Sequence, residues 1–292
     1  SAMFSGNFKL TNTDMFASWD LSNVKRMYSM FRDTKNLVDL SGLSGWDVSN
    51  VEDMNGLFEC AGSSGSNDVL TDLSPIAGWT ISSATRISMM FAGLTRLTDI
   101  RPIQRWDISS VKEANSLFLG DSSLSDISPL ASWDVKDIQS FGGMFASTSV
   151  SNLTPISGWD MSSATAINAM FYETPLSDLS PISGWDTSSV GNMSSLFKGT
   201  EISNLQPISG WNTSAVTMTS DMFADCINIT NISPIAGWDM SSVTNMDRMF
   251  MGAYSIADLQ PLNVWNIDSS TGMAYEFDSI PASVLRPTWY HD

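Results

Sequence analysis

The chain has 292 residues, is 42% hydrophobic and only 15% charged, and carries a formal net charge of −17. That balance excludes a nucleic-acid binder, which needs a basic face to release phosphate counterions, and it disfavours an anionic membrane surface. No run of about 18 apolar residues is present, so no segment is expected to insert into a membrane.

Residues 3–18 read as a partial repeat, with Met3-Phe4 matching the end of one unit and Leu10 and Phe16 continuing in register. The chain is therefore expected to begin inside a repeat of a larger parent. From there the register is carried by Trp19, Trp46, Trp79, Trp106, Trp133, Trp159, Trp185, Trp211, Trp238 and Trp265, at spacings of 27, 33, 27, 27, 26, 26, 26, 27 and 27. A phenylalanine follows each by 12 positions, from Phe31 to Phe277. Repetition on this scale predicts one α/β solenoid over 1–292, leucine-rich-repeat-like, of about ten 26–27-residue coils each with a short strand and a short helix. Ten W-x11-F units occupy 19–277, and 278–292 leaves the pattern as a cap or an exit segment.

Within a unit, a Ser pair follows the Trp-Asp dipeptide, as in Ser241-Ser242, and could cap a helix start. Val243, Met246, Met249 and Phe250 then form an apolar stripe, which predicts a short helix over SSVxxMxxMF. Length variation falls in the loop after the Phe, once as the insert Ala61–Asp68. The LxDLxPI segment predicts a brief extended element that ends at its proline, since proline lacks a donor and restrains its predecessor. On the sequence the placements of helix and strand are interchangeable. The repeat is not.

The tryptophans and phenylalanines are expected to stack as buried columns, although an exposed tryptophan ladder could serve as a sugar-stacking platform. Cys60 and Cys226 lie six repeats apart and read as buried free thiols, and with only His291 beside them they cannot assemble structural zinc. One acidic ladder follows Trp directly (Asp20, Asp47, Asp107, Asp134, Asp160, Asp186, Asp239). Another lies seven places before it (Asp39, Asp72, Asp99, Asp126, Asp178, Asp258). Calcium is one reading of these carboxylates; turn formation is the favoured one, because Asn152, Asn204 and Asn231 replace Asp freely. No metal site is expected. The ladders offer many carboxyl pairs but no unique one, so a glycosidase or polysaccharide lyase is not expected, and an ice-binding face lacks its Thr ladder.

The tracts SGWDVSNVEDMNGLF and AGWDMSSVTNMDRMFMGA resemble the repeat of BspA-like leucine-rich-repeat bacterial surface proteins, over about Met3 to Phe277. LTDLSPIAGW and LSDISPLASW resemble the turn of internalin repeats. The resemblance implies an extracellular, cell-surface adhesin or ligand-binding module for host glycans or glycoproteins, with no catalysis and no cofactor. A passive stalk presenting a distal domain is the alternative. The chain is expected to be a monomer.

Residues 1–136 hold 11 basic and 16 acidic side chains, and residues 137–292 hold 3 and 15, so an anionic partner would meet the first half. The densest basic departure from the repeat is Arg96, Arg101 and Arg105, flanked by Arg86 and Lys112. These three arginines are the expected ligand site, since guanidinium groups grip carboxylates and sulfates bidentately.

Overall fold

The computed structural model describes residues 2–60 and 70–290; the insert Ala61–Asp68 lies outside them. Each coil is wound from tight turns, and the expected short elements change places. The helical turn falls on the xPI segment, from Asp14–Phe16 through Ser74–Ile76 and Arg101–Ile103 to Gln260–Val264. Proline occupies the first turn of eight of the ten 3₁₀ helices among the described residues, where its missing N–H costs nothing and its fixed φ suits the turn.

The stretch expected to be helical, SSVxxMxxMF, carries the sheet-like pairing instead. Single-residue parallel bridges join Arg26, Asp53, Arg86, Glu113, Ser140, Ala166, Asn192, Met218, Asn245 and Gly272, each seven places after its Trp. Three places further on, every coil takes a left-handed residue, with φ between 51° and 65° from Ser29 to Tyr275. An α-helix cannot pass through that conformation. Alternate N–H groups then point along the stack: Ile87, Met89, Phe91 and Gly93 donate to the carbonyls of Glu113, Asn115, Leu117 and Leu119. Those between close turns within the coil, as Met90 N–H does on Ile87. Each left-handed residue costs about 1–2 kcal/mol, and the ordered rungs that it aligns, at about 1 kcal/mol net each, offset it.

The Ser pair does not cap a helix. The aspartate before it makes the turn, accepting from the amide two residues on, as Asp239 does from Ser241 (3.0 Å).

One hydrophobic core runs from Leu10 to Ile280. The phenylalanines stack with centroids 5.6–6.2 Å apart from Phe31 to Phe277. From Trp46 to Trp265 the indoles are buried, at 4–5% exposure, which excludes the sugar-platform reading of that column. Each of these indole N–H groups donates to the backbone carbonyl of an apolar residue in the preceding coil's 3₁₀ turn, as Trp46 does to Phe16 (2.9 Å) and Trp159 to Leu130 (3.2 Å). Cys60 and Cys226 are buried and free.

Trp46, Trp79 and Trp106 stack at 6.3–6.4 Å, and the hydrogen-bonded ladder forms one continuous face of the coil stack.

Both ends of the column hold extra aromatic rings. Phe4 stacks on Phe31 (5.8 Å), and Ala2, Phe4 and Gly6 donate to Tyr28, Met30 and Arg32 as a preceding half-coil would. Beyond the last full repeat, Trp289 stacks on Trp265 (6.1 Å) and donates its indole N–H to Leu262 (2.8 Å). It continues the tryptophan column past the point where the sequence leaves the pattern.

Candidate functional site

Side chains between the buried columns of the ladder segment face outward along the ladder face. In the N-terminal coils they are charged and paired with one another. Lys25 meets Glu52 (3.0 Å), Arg32 meets Glu59 (3.4 Å), and Arg86 reaches Asp53 (3.6 Å) and Glu113 (3.7 Å). Lys112 pairs with Asp137 (3.0 Å). Towards the other end, Asp221 accepts from both Lys198 (2.9 Å) and Arg248 (2.9 Å). Burial pushes the Asp221 carboxyl up, and its bonds to Arg248 and Lys198 outweigh that and hold it below the usual range.

Between these zones the ladder is uncharged and small: Ser140, Gly142, Gly143, Ala166, Asn168, Ala169, Gly191, Asn192, Ser194 and Ser195. There the ladder face sinks into an open groove of about 420 Å³, walled by Leu119 and Tyr172 and lined by Asn115, Gly142, Gly143 and Asn168. The glycines are there for steric reasons. A Cβ on Gly142 would lie 2.9 Å from Asn168 Oδ1 and 3.1 Å from Asn115 Oδ1, and Gly143 has φ +65° with a Cβ position 3.0 Å from Ser116 Oγ.

A side-chain relay runs along the residues nine places after each Trp. Ser88 N–H donates to Asn55 Oδ1 (2.8 Å), Asn115 N–H to Ser88 Oγ (3.1 Å), and Gly142 N–H to Asn115 Oδ1 (2.8 Å). Gly142 has no side chain, so the relay stops at the groove. Among the described residues nothing bonds the Asn168 backbone N–H or its side-chain amide.

Arg96, Arg101 and Arg105 are exposed but stand apart from the ladder. Arg101 opens the 3₁₀ turn Arg101–Ile103, on the column that runs through the xPI segments. Its guanidinium is bound by Asp99 at 2.9 and 2.6 Å, and the Arg101 side chain and amide hold the Asp99 carboxyl down at about 2. Arg96 and Arg105 form no ion pair among the described residues. Arg86, which the sequence groups with them, belongs to the bridge ladder. The structure thus divides the basic cluster between two columns.

The two acidic ladders serve as turn acceptors. Asp20, Asp47, Asp107, Asp160, Asp186 and Asp239 accept from serine amides at 2.9–3.1 Å. In the second ladder Asp72 and Asp178 accept at 2.8 Å, and Asn152 and Asn204 do so at 2.9 and 3.0 Å. Serine side-chain and backbone bonds hold these first-ladder carboxyls below their ordinary value. Two acids lie in the core instead. Asp121 accepts from Leu94 N–H (2.7 Å) and leaves Oδ2 unpartnered, and Glu276 leaves Oε1 unpartnered. Burial pushes both carboxyls well above their ordinary values.

Sequence reasoning singled out basic departures and passed over the neutral ones. Aligning the coils on Trp gives the missing signal: Gly142-Gly143 stands where the neighbouring units have Asn115-Ser116 and Asn168-Ala169.

The family model described as Mycoplasma protein of unknown function, DUF285, matches residues 1–99, 66–179 and 175–285. No curated protein matches significantly. Among solved structures, an internalin from Listeria monocytogenes is 13% identical, with 82% of this chain and 81% of that one covered and a TM-score of 0.40. Internalin C2 from the same organism is 14% identical over 77% and 76%, with a TM-score of 0.37. A leucine-rich-repeat protein of Leptospira interrogans is 10% identical over 80% and 67%, with a TM-score of 0.32.

Proposed function

The chain belongs to the DUF285 family, and we propose that it is a non-catalytic ligand-binding module of a bacterial cell-surface protein, acting as a monomer outside the cell. Its partner is a host glycan or glycoprotein, read by the ladder face. One observation carries this reading. The core columns repeat the same chemistry coil after coil, while the outward ladder positions change from charged to neutral to charged along one continuous face. Packing explains the constant positions. Recognition explains the changing ones, because a solenoid offers its ligand a row of independently variable side chains.

Most of the ladder face's ionised groups are tied into pairs that span neighbouring coils, which suits a binding surface. The family resemblance to BspA-like surface proteins points the same way. The arginine group remains a secondary site for an acidic ligand, favoured by the absence of an ion-pair partner at Arg96 and Arg105 among the described residues.

The test is capture of the protein on mucin-coated surfaces. Ala166→Arg with Asn192→Arg places bulk on the ladder at a position that Arg86 already fills in another coil. Arg101→Ser with Arg105→Gly restores the repeat on the other column. Capture lost in the first pair and kept in the second is expected. The reverse pattern moves the site to the arginines, and no capture by the unaltered protein removes the reading.

A further inference from the structure

The central groove has the composition of a built subsite. It holds no charge in a chain of net charge −17, and it interrupts a face that is ionic on both sides. Its floor is main chain at Gly142 and Gly143, and its volume of about 420 Å³ lies within the range of small-ligand sites, about 300–1,000 Å³. The side-chain relay breaks there, so Asn168 presents a backbone N–H, an amide NH₂ and an amide oxygen, none bonded among the described residues. Asn115 differs: its Oδ1 accepts from Gly142 N–H and from Ser140 Oγ, which turns its NH₂ toward the groove. Tyr172 forms one wall. Half-buried polar groups without partners lose water on binding and need a ligand that replaces those bonds.

We infer that this groove binds a neutral sugar, with the Asn115 and Asn168 amides on its hydroxyl or acetamido groups and the Tyr172 ring against its C–H face. This deepens the ligand-binding reading above and rests on it. The absence of charge selects against sialylated and sulfated glycans, whose anions would face the groove without a cation to meet them. An extended peptide is the less suitable occupant. The alternate N–H groups of each coil are already taken by the next coil, so no sheet edge is open to an added strand.

Binding of the full chain to immobilised N-acetyllactosamine and to its 3′-sialylated form tests the inference. Two-dimensional NMR would follow the Asn168 side-chain amide during titration with free N-acetyllactosamine. The neutral sugar is expected to bind and to shift that signal. Asn168→Ala and Tyr172→Ala should each weaken binding at least tenfold, the first with unchanged melting, because the Asn168 side chain bonds to nothing among the described residues. Preference for the sialylated sugar, or an Asn168 signal that stays still at millimolar sugar, overturns the subsite. If mucin capture survives both groove variants unchanged, the subsite fails and the module reading stands. If the unaltered protein captures neither mucin nor the free sugar, both fall.

Discussion

Single residues on the buried side are less uniform than the repeat suggests. Three places after Phe, four coils bury a threonine whose hydroxyl donates to that Phe carbonyl: Thr34, Thr148, Thr174 and Thr200. Asp121 takes the same place with one oxygen unpartnered and its carboxyl pushed up by burial. A carboxyl with a raised folded-state pKa contributes stability that is full below its ordinary value of 3.8 and is lost as pH rises through the folded value. Asp121→Thr is therefore expected to stabilise the protein at pH 7 by about 1–3 kcal/mol, the cost of an unsatisfied buried group. Leu94 N–H keeps its bond to the Phe91 carbonyl. The gain should shrink steadily on acidification towards pH 4, as thermal melts across that range will read. An equal shift at every pH would show that packing rather than ionisation sets the difference.

At the scale of the element, the turns are made by acceptor geometry and not by charge. Asp178 accepts from Ser180 N–H at 2.8 Å, and Asn231 makes the same bond to Ser233 at 3.0 Å. Asp178→Asn should therefore change stability by less than about 0.5 kcal/mol, while Asp178→Ala should cost about 1 kcal/mol, the worth of a capping acceptor. Neither melting temperature is expected to respond to millimolar calcium or to a chelator. A calcium-dependent rise of several degrees would reveal a bound ion through linkage. The same scale marks where the sequence stops being legible. The Trp and Phe columns could be read, because burial repeats with them. The winding of SSVxxMxxMF could not, since apolar residues three apart suit a helix and a turn-wound coil alike. The left-handed residue that separates the two is Ser, Met, Ala, Asp, Arg or Tyr in eight coils and glycine only at Gly56 and Gly143. The hydrogen bonds that hold it run between coils, beyond any local pattern. The groove escaped for the same reason: Gly142 and Asn168 are 26 positions apart and meet only in the stack.

Across the whole molecule, each coil touches only its neighbours, so stability is a sum of nearest-neighbour interfaces and the ends decide where unfolding starts. The C-terminal end is closed by Trp289, which stacks on Trp265 and bonds Leu262, and by Arg286, which donates to the carbonyls of Phe277 and Ile280 and lies 5.5 Å from the Phe277 ring. Under this closure sits Glu276, a buried carboxyl on the apolar stripe with an unpartnered oxygen, so the last coil is weak without its cover. Trp289→Ala is expected to free the coil that begins at Trp265 and so to abolish hydrogen-exchange protection of the amides that donate to it, Met246 N–H on the Gly272 carbonyl and Arg248 N–H on the Ala274 carbonyl. Protection around Phe145 and Phe171 should be unchanged, because those coils keep both neighbours. A uniform loss from end to end would mean that the solenoid unfolds as one unit, and would replace the additive picture with a cooperative one.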